Sequence, residues 1–421
     1  MSNSHLAMWM LLPFVLLLFT SVGGFILRIT TNVARPLRDY AYQPKVSVLL
    51  PVYNEGAHVL DTINSILEAD WPKDRLEIVA IDDCSSDDSY EYMQQAQALH
   101  GDRLFVSKND VNSGKHITLT NALAKASGEV VICIDSDCIF DKQVIRELVS
   151  CFADPKVGAV GGHIGVSNVN ESVYTRAQAI LYFLTFQVGK MVQNAQDSVF
   201  CISGCLFAVR REVFEEVEEA VRERNWFGVK VRDGEDRFMT EQILLRGWKT
   251  IINPSAVCWT AVPATMGQLF SQQLRWRRST LRALFDALID TPTYLRVLGA
   301  RRYLTRIVPD MTTLLLALAG LTTIPIYGIG TFLDAMGATF VTSYVFHVLK
   351  ALLYNLGIQF YAKGSEPIKH PFLVGLAGAW FFMDRIVLTV LALFTFDVGT
   401  WGTRETVNSK QPEVNSQQNV A

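Results

Sequence analysis

The sequence predicts a Rossmann-like α/β domain, built on a doubly wound parallel sheet and joined to α-helical transmembrane segments. Apolar runs long enough to cross a bilayer lie towards both ends of the 421-residue chain, whereas the middle has the mixed composition of a soluble domain. Within that middle, buried-strand patterns alternate with helical ones, an order typical of a parallel sheet covered by helices. Half of the residues are hydrophobic, which suffices for both a soluble core and membrane spans.

The first apolar run covers residues 6–27 and carries no charge, so it matches the roughly 20 residues that a transmembrane helix needs. Arg28, Arg35 and Arg38 follow it, and no lysine or arginine precedes it. The positive-inside rule therefore puts the N-terminus outside and the next segment in the cytosol. A signal peptide is the alternative, but the run lacks a basic leader and a clear cleavage site. We expect a transmembrane helix within residues 1–28.

Residues 45–265 are predicted to form the cytosolic domain. The runs 46–50, 78–81 and 130–134 have the apolar character of buried strands, and 58–67 and 89–99 have that of helices. In parallel sheets of this kind, ligands bind at the carboxyl ends of the strands. Acidic residues follow the strands here, so we expect the functional site at that edge.

The net charge argues against nucleic-acid binding, and the spacing of the cysteines argues against a structural metal site. A net charge of -3 and a pI near 6.2 give no basic footprint, so nucleic acid is not an expected partner. The seven cysteines show neither a CxxC pair nor the Cys/His spacing typical of a structural metal site. Because the predicted compartment is reducing, we expect free thiols.

A basic, amphipathic stretch at 272–282 carries Arg275, Arg277, Arg278 and Arg282. Basic amphipathic helices lie on the cytosolic face of membranes, so residues 266–304 are predicted to form interface helices. Two apolar runs follow at 308–333 and 340–361, which predicts a transmembrane hairpin within 305–362.

A third apolar run at 371–396 contains Asp384 and Arg385, and a charged pair in mid-membrane is costly. We therefore expect an interfacial or re-entrant helix within 370–404, preceded by Lys363 and Lys369 on the cytosolic side. If this run does cross, the C-terminus lies outside. The polar tail, 405–421, is predicted to be disordered.

Three motifs near predicted strand ends suit a nucleotide. Tyr53 and Glu55, in PVYNE, follow the first strand and could hold a base and a ribose. Asp83, in IDDCS, ends the second strand and could bind a uracil edge or a ribose hydroxyl, although helix capping is an alternative reading. Lys115, in SGKH, is a candidate phosphate or uridine contact.

Asp135 and Asp137 directly follow the third apolar strand. A diphosphate leaves only when its charge is neutralised, and Mg²⁺ or Mn²⁺ held by one or two carboxylates does this. A plain surface turn is the alternative. The pattern predicts a divalent-cation site at the sheet edge.

Asp236, in GEDR, is the candidate general base that would take a proton from an attacking hydroxyl, and Arg237 beside it could orient an anion. Acidic residues favouring a helix N-terminus would give the same local pattern. Gln272, Arg275 and Trp276, in QQLRW, combine a planar guanidinium for diphosphate oxygens with a flat face for a sugar.

Trp401 and Arg404, in WGTR, lie beyond the third apolar run. Such a pair could also be a simple anchor at the membrane interface. The alternatives weaken when all motifs are taken together in their order: PVYNE, IDDCS, SGKH, DSD, SGCLFAVRR, GEDR, QQLRW and WGTR.

That order resembles the processive, inverting branch of glycosyltransferase family 2, which includes hyaluronan, chitin, chitin-oligosaccharide and cellulose synthases. The resemblance covers roughly 45–404. It implies a glycosyltransferase-A type domain and an enzyme of the inner membrane with several spans and a cytosolic catalytic domain. Its implied partners are UDP-sugar donors, a growing polysaccharide that the helices help to secrete, and the lipid bilayer.

The resemblance also implies residue roles. Asp83 and Lys115 would contact uridine, and Asp137 would bind the metal with Asp135 nearby. Ser203 and Gly204 would line the acceptor site, and Asp236 would be the general base. Gln272, Arg275 and Trp276 would hold the diphosphate and the acceptor sugar. Trp401 and Arg404 would close over the donor.

The choice of polymer depends on departures from the hyaluronan synthase pattern. Cys205 stands where those enzymes usually carry proline, and Glu235 precedes Asp236 where they usually have a second aspartate. These departures, with a single N-terminal span, favour chitin-type enzymes, whereas WGTR favours hyaluronan synthase. We interpret the chain as a hyaluronan synthase using UDP-N-acetylglucosamine and UDP-glucuronate, with a chitin-type or another capsule polysaccharide synthase as the alternative.

Overall fold

The computed structural model describes residues 36–361, 364–396 and 398. Within 319–339 and 378–386 it describes mainly the backbone. The predicted N-terminal span at 1–28, the tail at 405–421, and both Trp401 and Arg404 lie outside the described residues.

Within the described residues, the centre of the molecule is a sheet of eight strands in the order β3-β2-β1-β4-β7-β6-β10-β5, and β8 and β9 form a separate hairpin. The strands are β1 (Val46–Val52), β2 (Leu76–Asp82), β3 (Leu104–Lys108), β4 (Val130–Cys133), β5 (Cys138–Phe140), β6 (Val157–Val166), β7 (Phe207–Arg210), β8 (Asn225–Trp226), β9 (Val229–Lys230) and β10 (Lys249–Thr260).

The sheet is mixed, which corrects the prediction of a wholly parallel one. Strands β3, β2, β1 and β4 are parallel, as are β6 and β10. However, β7 runs antiparallel to β4 and β6, and β5 runs antiparallel to β10. A parallel crossover needs about a dozen residues, and the four residues between β4 and β5 can only turn the chain back. Strand β7 starts beside Cys133, the last residue of β4, and runs back from the carboxyl edge between β4 and β6.

Helices cover both faces of the sheet, and the predicted helices at 58–67 and 89–99 are confirmed almost to the residue. The helices are α1 (Val59–Leu67), α2 (Ser89–His100), α3 (Lys115–Leu123), α4 (Val144–Ser150), α5 (Val173–Phe183), α6 (Lys190–Asn194), α7 (Arg211–Arg222), α8 (Glu235–Leu245), α9 (Met266–Ile289), α10 (Thr291–Tyr361) and α11 (Pro371–Leu393). A π-helical segment, Leu184–Gly189, joins α5 to α6.

Strand β1 shows why the core strands read as continuous apolar runs. Val48 and Leu50 pack on one face with α1 and α4, whereas Leu49 packs on the other with α3, α7 and α8. All three side chains are fully buried. A strand covered on both faces has no solvent side and therefore shows no alternation of apolar and polar residues.

Helix α9 contains the basic stretch 272–282 of the predicted interface helices, and two of its arginines bind other parts of the protein. Arg282 is completely buried and forms an ion pair with Asp233, in the loop before α8. Arg278 donates to Thr395 Oγ1 at 3.0 Å. These cations therefore bind parts of the protein itself, because α9 packs between the sheet domain and α11.

Helix α10 is interrupted at Gly299 and Gly328, both of which have positive φ. Among the described residues, Phe340–Tyr361 is the one helical segment long and apolar enough to cross a membrane. Tyr354 and Ile358 in this segment pack with Phe183 of α5, so the segment is attached to the sheet domain. The third apolar run forms the single helix α11, which packs against α5, α9 and α10.

Candidate active site

The loops after β1 and β2 are bonded to each other at the carboxyl edge of the sheet. Asn54 N donates to Ser85 Oγ at 2.9 Å, and Glu55 N donates to Ser89 Oγ at the same distance. Glu55 Oε1 accepts a hydrogen bond from Ser136 Oγ at 3.0 Å. Tyr53 lies half-buried in the same loop. The loop bearing Tyr53 and Glu55 is therefore fixed beside the turn that carries Asp135 and Asp137.

Asp83 organises the loop that leads into α3. Its Oδ1 accepts from Asn109 Nδ2 and from Ser113 N, both at 2.9 Å, and its Oδ2 accepts from Gly114 N at 2.8 Å. The carboxylate is almost fully buried. Asp83 thus sets the position of Lys115, the first residue of α3, in addition to its predicted contact with uridine.

Lys115 lies between two carboxylates at the centre of the cleft. Its Nζ pairs with Asp135 Oδ1 and lies 3.2 Å from Glu235 Oε1. Burial alone would lower the pKa of Lys115, but the two carboxylates raise it well above its usual range. A Cβ on Gly204 would come within 2.7 Å of Nζ, so a larger residue there would displace the end of the lysine side chain.

The turn after β4 presents both predicted metal ligands. Cys138 N donates to Asp135 O at 3.2 Å, closing a turn over Ser136 and Asp137. Thr62 Oγ1 donates to Ser136 O at 2.7 Å and ties the turn to α1. Asp135 and Asp137 are half-buried and offer carboxylate oxygens. Oxygen donors are those that Mg²⁺ and Mn²⁺ prefer, so the donor set fits the predicted ion.

Asp236 lies at the start of α8, across the cleft from Asp135. Gly204 N donates to its Oδ2 at 3.0 Å, and Arg237 N donates to its Oδ1 at 2.7 Å. These bonds join Asp236 to the turn that contains Ser203 and Gly204, the predicted acceptor residues. Gly234, which precedes this helix, has a φ of +67° and lies against Ser279 of α9, a position that favours glycine on both counts.

Glu235 belongs to the same cluster, although its motif suggested no role for it. It is buried, and burial raises the pKa of its carboxyl, while the Lys115 ammonium opposes that rise. Its neighbour Arg237 is directed elsewhere. The side chains that act most strongly on the Arg237 guanidinium are Cys201, Arg306, Asp310 and Glu241, and neither Asp135 nor Asp137 is among them.

An aromatic pair borders the cleft on the side of α9. The Trp276 ring is 38% exposed, and its centroid lies 6.4 Å from that of Tyr182. Burial raises the pKa of Tyr182, and Cys205, Asp137 and Asp135 raise it further, so the phenol lies close to the turn that carries Asp135 and Asp137. Gln272 and Arg275 are half-buried on the same helix.

Two residues of this region were not predicted from the sequence. Tyr182 is the penultimate residue of α5 and belongs to no local motif, so nothing in the sequence marked it. Lys190 is buried and donates to Cys201 O at 2.6 Å. Burial lowers the pKa of its ammonium group, and the nearby Asp236 carboxylate opposes that change. A lysine inside an otherwise apolar helical stretch was the available signal for that residue.

The structure thus brings most of the predicted residues to one edge of the sheet. They are Tyr53, Glu55, Asp83, Lys115, Asp135, Asp137, Ser203, Gly204 and Asp236, with Trp276 at the border.

Comparison with known proteins gives three findings. The family model described as glycosyl transferase family 2 matches residues 47–218. An N-acetylglucosaminyltransferase of Rhizobium leguminosarum bv. viciae is 32% identical over 319 residues, which cover 75% of this chain and 72% of that protein. A hyaluronan synthase of Streptococcus pyogenes is 29% identical over 252 residues, 59% of each chain.

Among solved structures, a mannosyltransferase of Pyrobaculum calidifontis in complex with GDP-mannose and Mn²⁺ superposes with a TM-score of 0.55. It is 21% identical, and the match covers 90% of this chain and 97% of that one. At that identity the likeness concerns the fold, which is of the glycosyltransferase-A type.

Proposed function

The chain belongs to glycosyltransferase family 2, and from that premise we propose that it transfers N-acetylglucosamine from UDP-N-acetylglucosamine to a growing β-linked polysaccharide. The observation that carries the proposal is the convergence of Lys115, Asp135 and Asp236 in one cleft bordered by Trp276. Hyaluronan and chitin-type polymers share this donor sugar, and it is named in the activity of several rhizobial relatives.

The donor is proposed to bind along the loops after β1, β2 and β4. Tyr53 and Glu55 would contact the base and ribose, and Asp83 and Lys115 would contact the uridine and its phosphates. Mg²⁺ or Mn²⁺ held by Asp137 and Asp135 would neutralise the leaving diphosphate. Arg275 and Gln272 would bind the diphosphate from α9.

Asp236 is proposed to take the proton from the acceptor hydroxyl as that oxygen attacks the sugar carbon opposite the diphosphate. Attack from the opposite side inverts the configuration, which gives a β-linkage from an α-linked donor. Ser203 and Gly204 would line the acceptor site, because the turn that carries them is bonded to Asp236. Trp276 and Tyr182 offer flat apolar faces on which the acceptor sugar could lie.

The enzyme is proposed to work in the inner membrane with its active site in the cytosol. The segment Phe340–Tyr361 supports this, because it is apolar enough to span and is packed against the catalytic domain. A first span within 1–28, the first helix of the hairpin at 308–333, and secretion of the polymer belong to the same proposal, as does closure of Trp401 and Arg404 over the donor.

A hyaluronan synthase is the second candidate, favoured by the WGTR motif and by the streptococcal relative. Membranes containing the protein, supplied with labelled UDP-N-acetylglucosamine with and without UDP-glucuronate, separate the two. Polymer formed from the first donor alone and cut by chitinase supports a chitin-type product. Polymer that needs both donors and is cut by hyaluronidase supports hyaluronan. Absence of any incorporation with either donor set contradicts the proposed donor.

The base assignment has its own test. Asp236→Asn should lower incorporation by about 10²–10⁴-fold, the usual contribution of a general base, while UDP still binds. Asp61→Asn is the matched control, since that carboxylate is exposed on α1, where it lies near His58. Unaltered incorporation by Asp236→Asn would show that another group takes the proton.

A further inference from the structure

Three of the seven cysteines lie together beside the carboxylates of the cleft. The Sγ atoms of Cys138 and Cys205 lie within 4.8 Å of each other, and Cys138 Sγ donates to Asp137 Oδ1 at 3.6 Å. Cys205 Sγ lies 3.2 Å from Asp135 Oδ2, and Cys258 Sγ lies 3.6 Å from Cys205 O. All are free thiols. The cluster is unused by the proposed transfer of sugar.

The fold, rather than a sequence motif, assembles this cluster. The turn after β4 places Cys138 three residues beyond Asp135, and its closing hydrogen bond turns the chain back there. Cys205 comes from the turn before β7, and Cys258 from β10, which pairs with β5 next to Cys138. Ligands drawn from separate segments leave no CxxC or Cys/His spacing.

We propose that Asp135, Cys138 and Cys205 form a binding site for a thiophilic divalent cation such as Zn²⁺. Their ligand atoms all lie within 4.8 Å of one another. Zn²⁺ binds thiolate sulfur at about 2.3 Å and carboxylate oxygen at about 2.0–2.2 Å in tetrahedral geometry. Small side-chain movements therefore bring the three atoms onto one ion, and each thiol releases one proton as it binds.

This site differs from the proposed Mg²⁺ or Mn²⁺ site in the chemistry of its ligands. Thiolates select Zn²⁺ and other soft ions, whereas Mg²⁺ and Mn²⁺ prefer carboxylates, phosphates and water. Asp135 belongs to both sets. The side chain of Asp135 is 28% exposed and opens the thiol cluster to the cleft, whereas Cys138 is fully buried. A fourth position on the ion stays open to water or a phosphate oxygen.

Occupation of the thiol site has a consequence for the proposed transfer reaction. Asp135 bound to Zn²⁺ is withdrawn from Lys115 and from the ion that would hold the diphosphate. Micromolar thiophilic cation should therefore inhibit polymer synthesis even in excess Mg²⁺. The inhibition depends on the proposed function, but binding of the ion does not, so the two can fail separately.

The binding test uses Cd²⁺ as a spectroscopic probe on the full chain, purified in detergent, metal-free and reduced with a phosphine. We expect one equivalent to bind with the ultraviolet charge-transfer band of cadmium thiolate, and excess Mg²⁺ to leave it in place. Cys138→Ser and Cys205→Ser should each weaken binding more than about 100-fold, since even outer-shell changes cost 10–100-fold. Cys151→Ser is the control, because that buried thiol bonds Glu147 O on α4 instead.

A second measurement avoids any dependence on the folding of the variants. In the parent protein, Zn²⁺ should slow the alkylation of Cys205 by iodoacetamide, measured by mass spectrometry, and leave that of Cys84 unchanged. Absence of a thiolate band, or equal Cd²⁺ binding by the parent and a folded Cys138→Ser/Cys205→Ser double variant, overturns the proposal. Equal alkylation rates of Cys205 with and without Zn²⁺ overturn it as well.

Discussion

Two kinds of ion pair among the described residues differ in their solvent exposure. Arg282 with Asp233 and Arg306 with Glu241 are sealed, since no side chain among the four is more than 4% exposed. The pair of Lys115 with Asp135 lies in the cleft, where the Asp135 side chain is 28% exposed.

The sealed pairs connect elements of structure. Arg282 on α9 binds the loop before α8 through Asp233, and its Nη1 donates to Phe396 O at 2.8 Å. Arg306 joins α10 to Glu241 of α8, which also accepts from Tyr294 OH at 3.2 Å. Both pairs hold the helix that starts with Glu235 and Asp236, so they position the candidate base without entering the cleft.

The cleft pair connects groups that a ligand would rearrange. Lys115 bridges Asp135 and Glu235, and Asp135 is also one of the two proposed metal ligands. The sealed pairs should keep their geometry when a ligand binds. The open pair, Lys115 with Asp135, can exchange partners when a diphosphate and a cation bind in the cleft. The comparison predicts that sealed pairs determine stability and the open pair determines activity.

The largest expected effect follows from breaking a sealed pair. Arg282→Met leaves Asp233 buried without its cation, which typically costs about 3–5 kcal/mol of unfolding free energy. The apparent melting temperature in detergent should fall by about 10 °C. The double variant Arg282→Met/Asp233→Leu should regain most of that loss, because replacing both charges removes the uncompensated one. A double variant as unstable as the single one contradicts this account.

Breaking the open pair should affect catalysis more than folding. Lys115→Met removes a positioned cation from the cleft, and loss of one such group typically lowers kcat about 10²–10³-fold. The change in melting temperature should be smaller than that of Arg282→Met, measured in the same detergent. Equal destabilisation by the two variants would remove the distinction between the two groups of pairs.

A third test concerns a buried group that bears no ion pair. Burial lowers the pKa of His163 from 6.5 to about 4, so the folded protein holds it neutral while the unfolded chain takes up a proton first. Stability should fall as the pH drops from 6.5 towards 4, by up to about 3 kcal/mol from this group. His163→Leu should flatten that dependence in pH-resolved melting curves, whereas His58→Gln, at an exposed position, should leave it unchanged.

The smallest expected effect concerns the aromatic border of the cleft. Trp276→Ala should raise the KM for an N-acetylglucosamine oligosaccharide acceptor about tenfold, in line with the roughly 0.5–1.5 kcal/mol of an aromatic contact. The melting temperature should stay near that of the parent, since the ring is partly exposed. Trp248→Phe is the matched control, because that indole bonds Glu216 away from the cleft. A change in kcat alone would assign Trp276 another role.

The sequence by itself determined the strands β1, β2 and β4 and the residues that follow them. Strands covered on both faces must be apolar throughout, so Val46–Val52 and its neighbours are visible as unbroken runs. Parallel strands end at one edge, so the order of strands and acidic residues along the chain is enough to place Asp83 and Asp135 together. Asp236 was accessible too, through the motif that surrounds it.

Only the tertiary structure decided the direction of β7, the burial of Arg282 and the neighbours of Tyr182 and Cys138. A basic helix has the same sequence pattern whether its cations face lipid headgroups or, like Arg282, a buried carboxylate on another element. Tyr182, Cys138 and Cys205 acquire their setting from segments far apart in the chain. Sequence periodicity indicates whether a position in a helix or strand is buried or exposed. Which residue of another element it contacts is decided by tertiary packing.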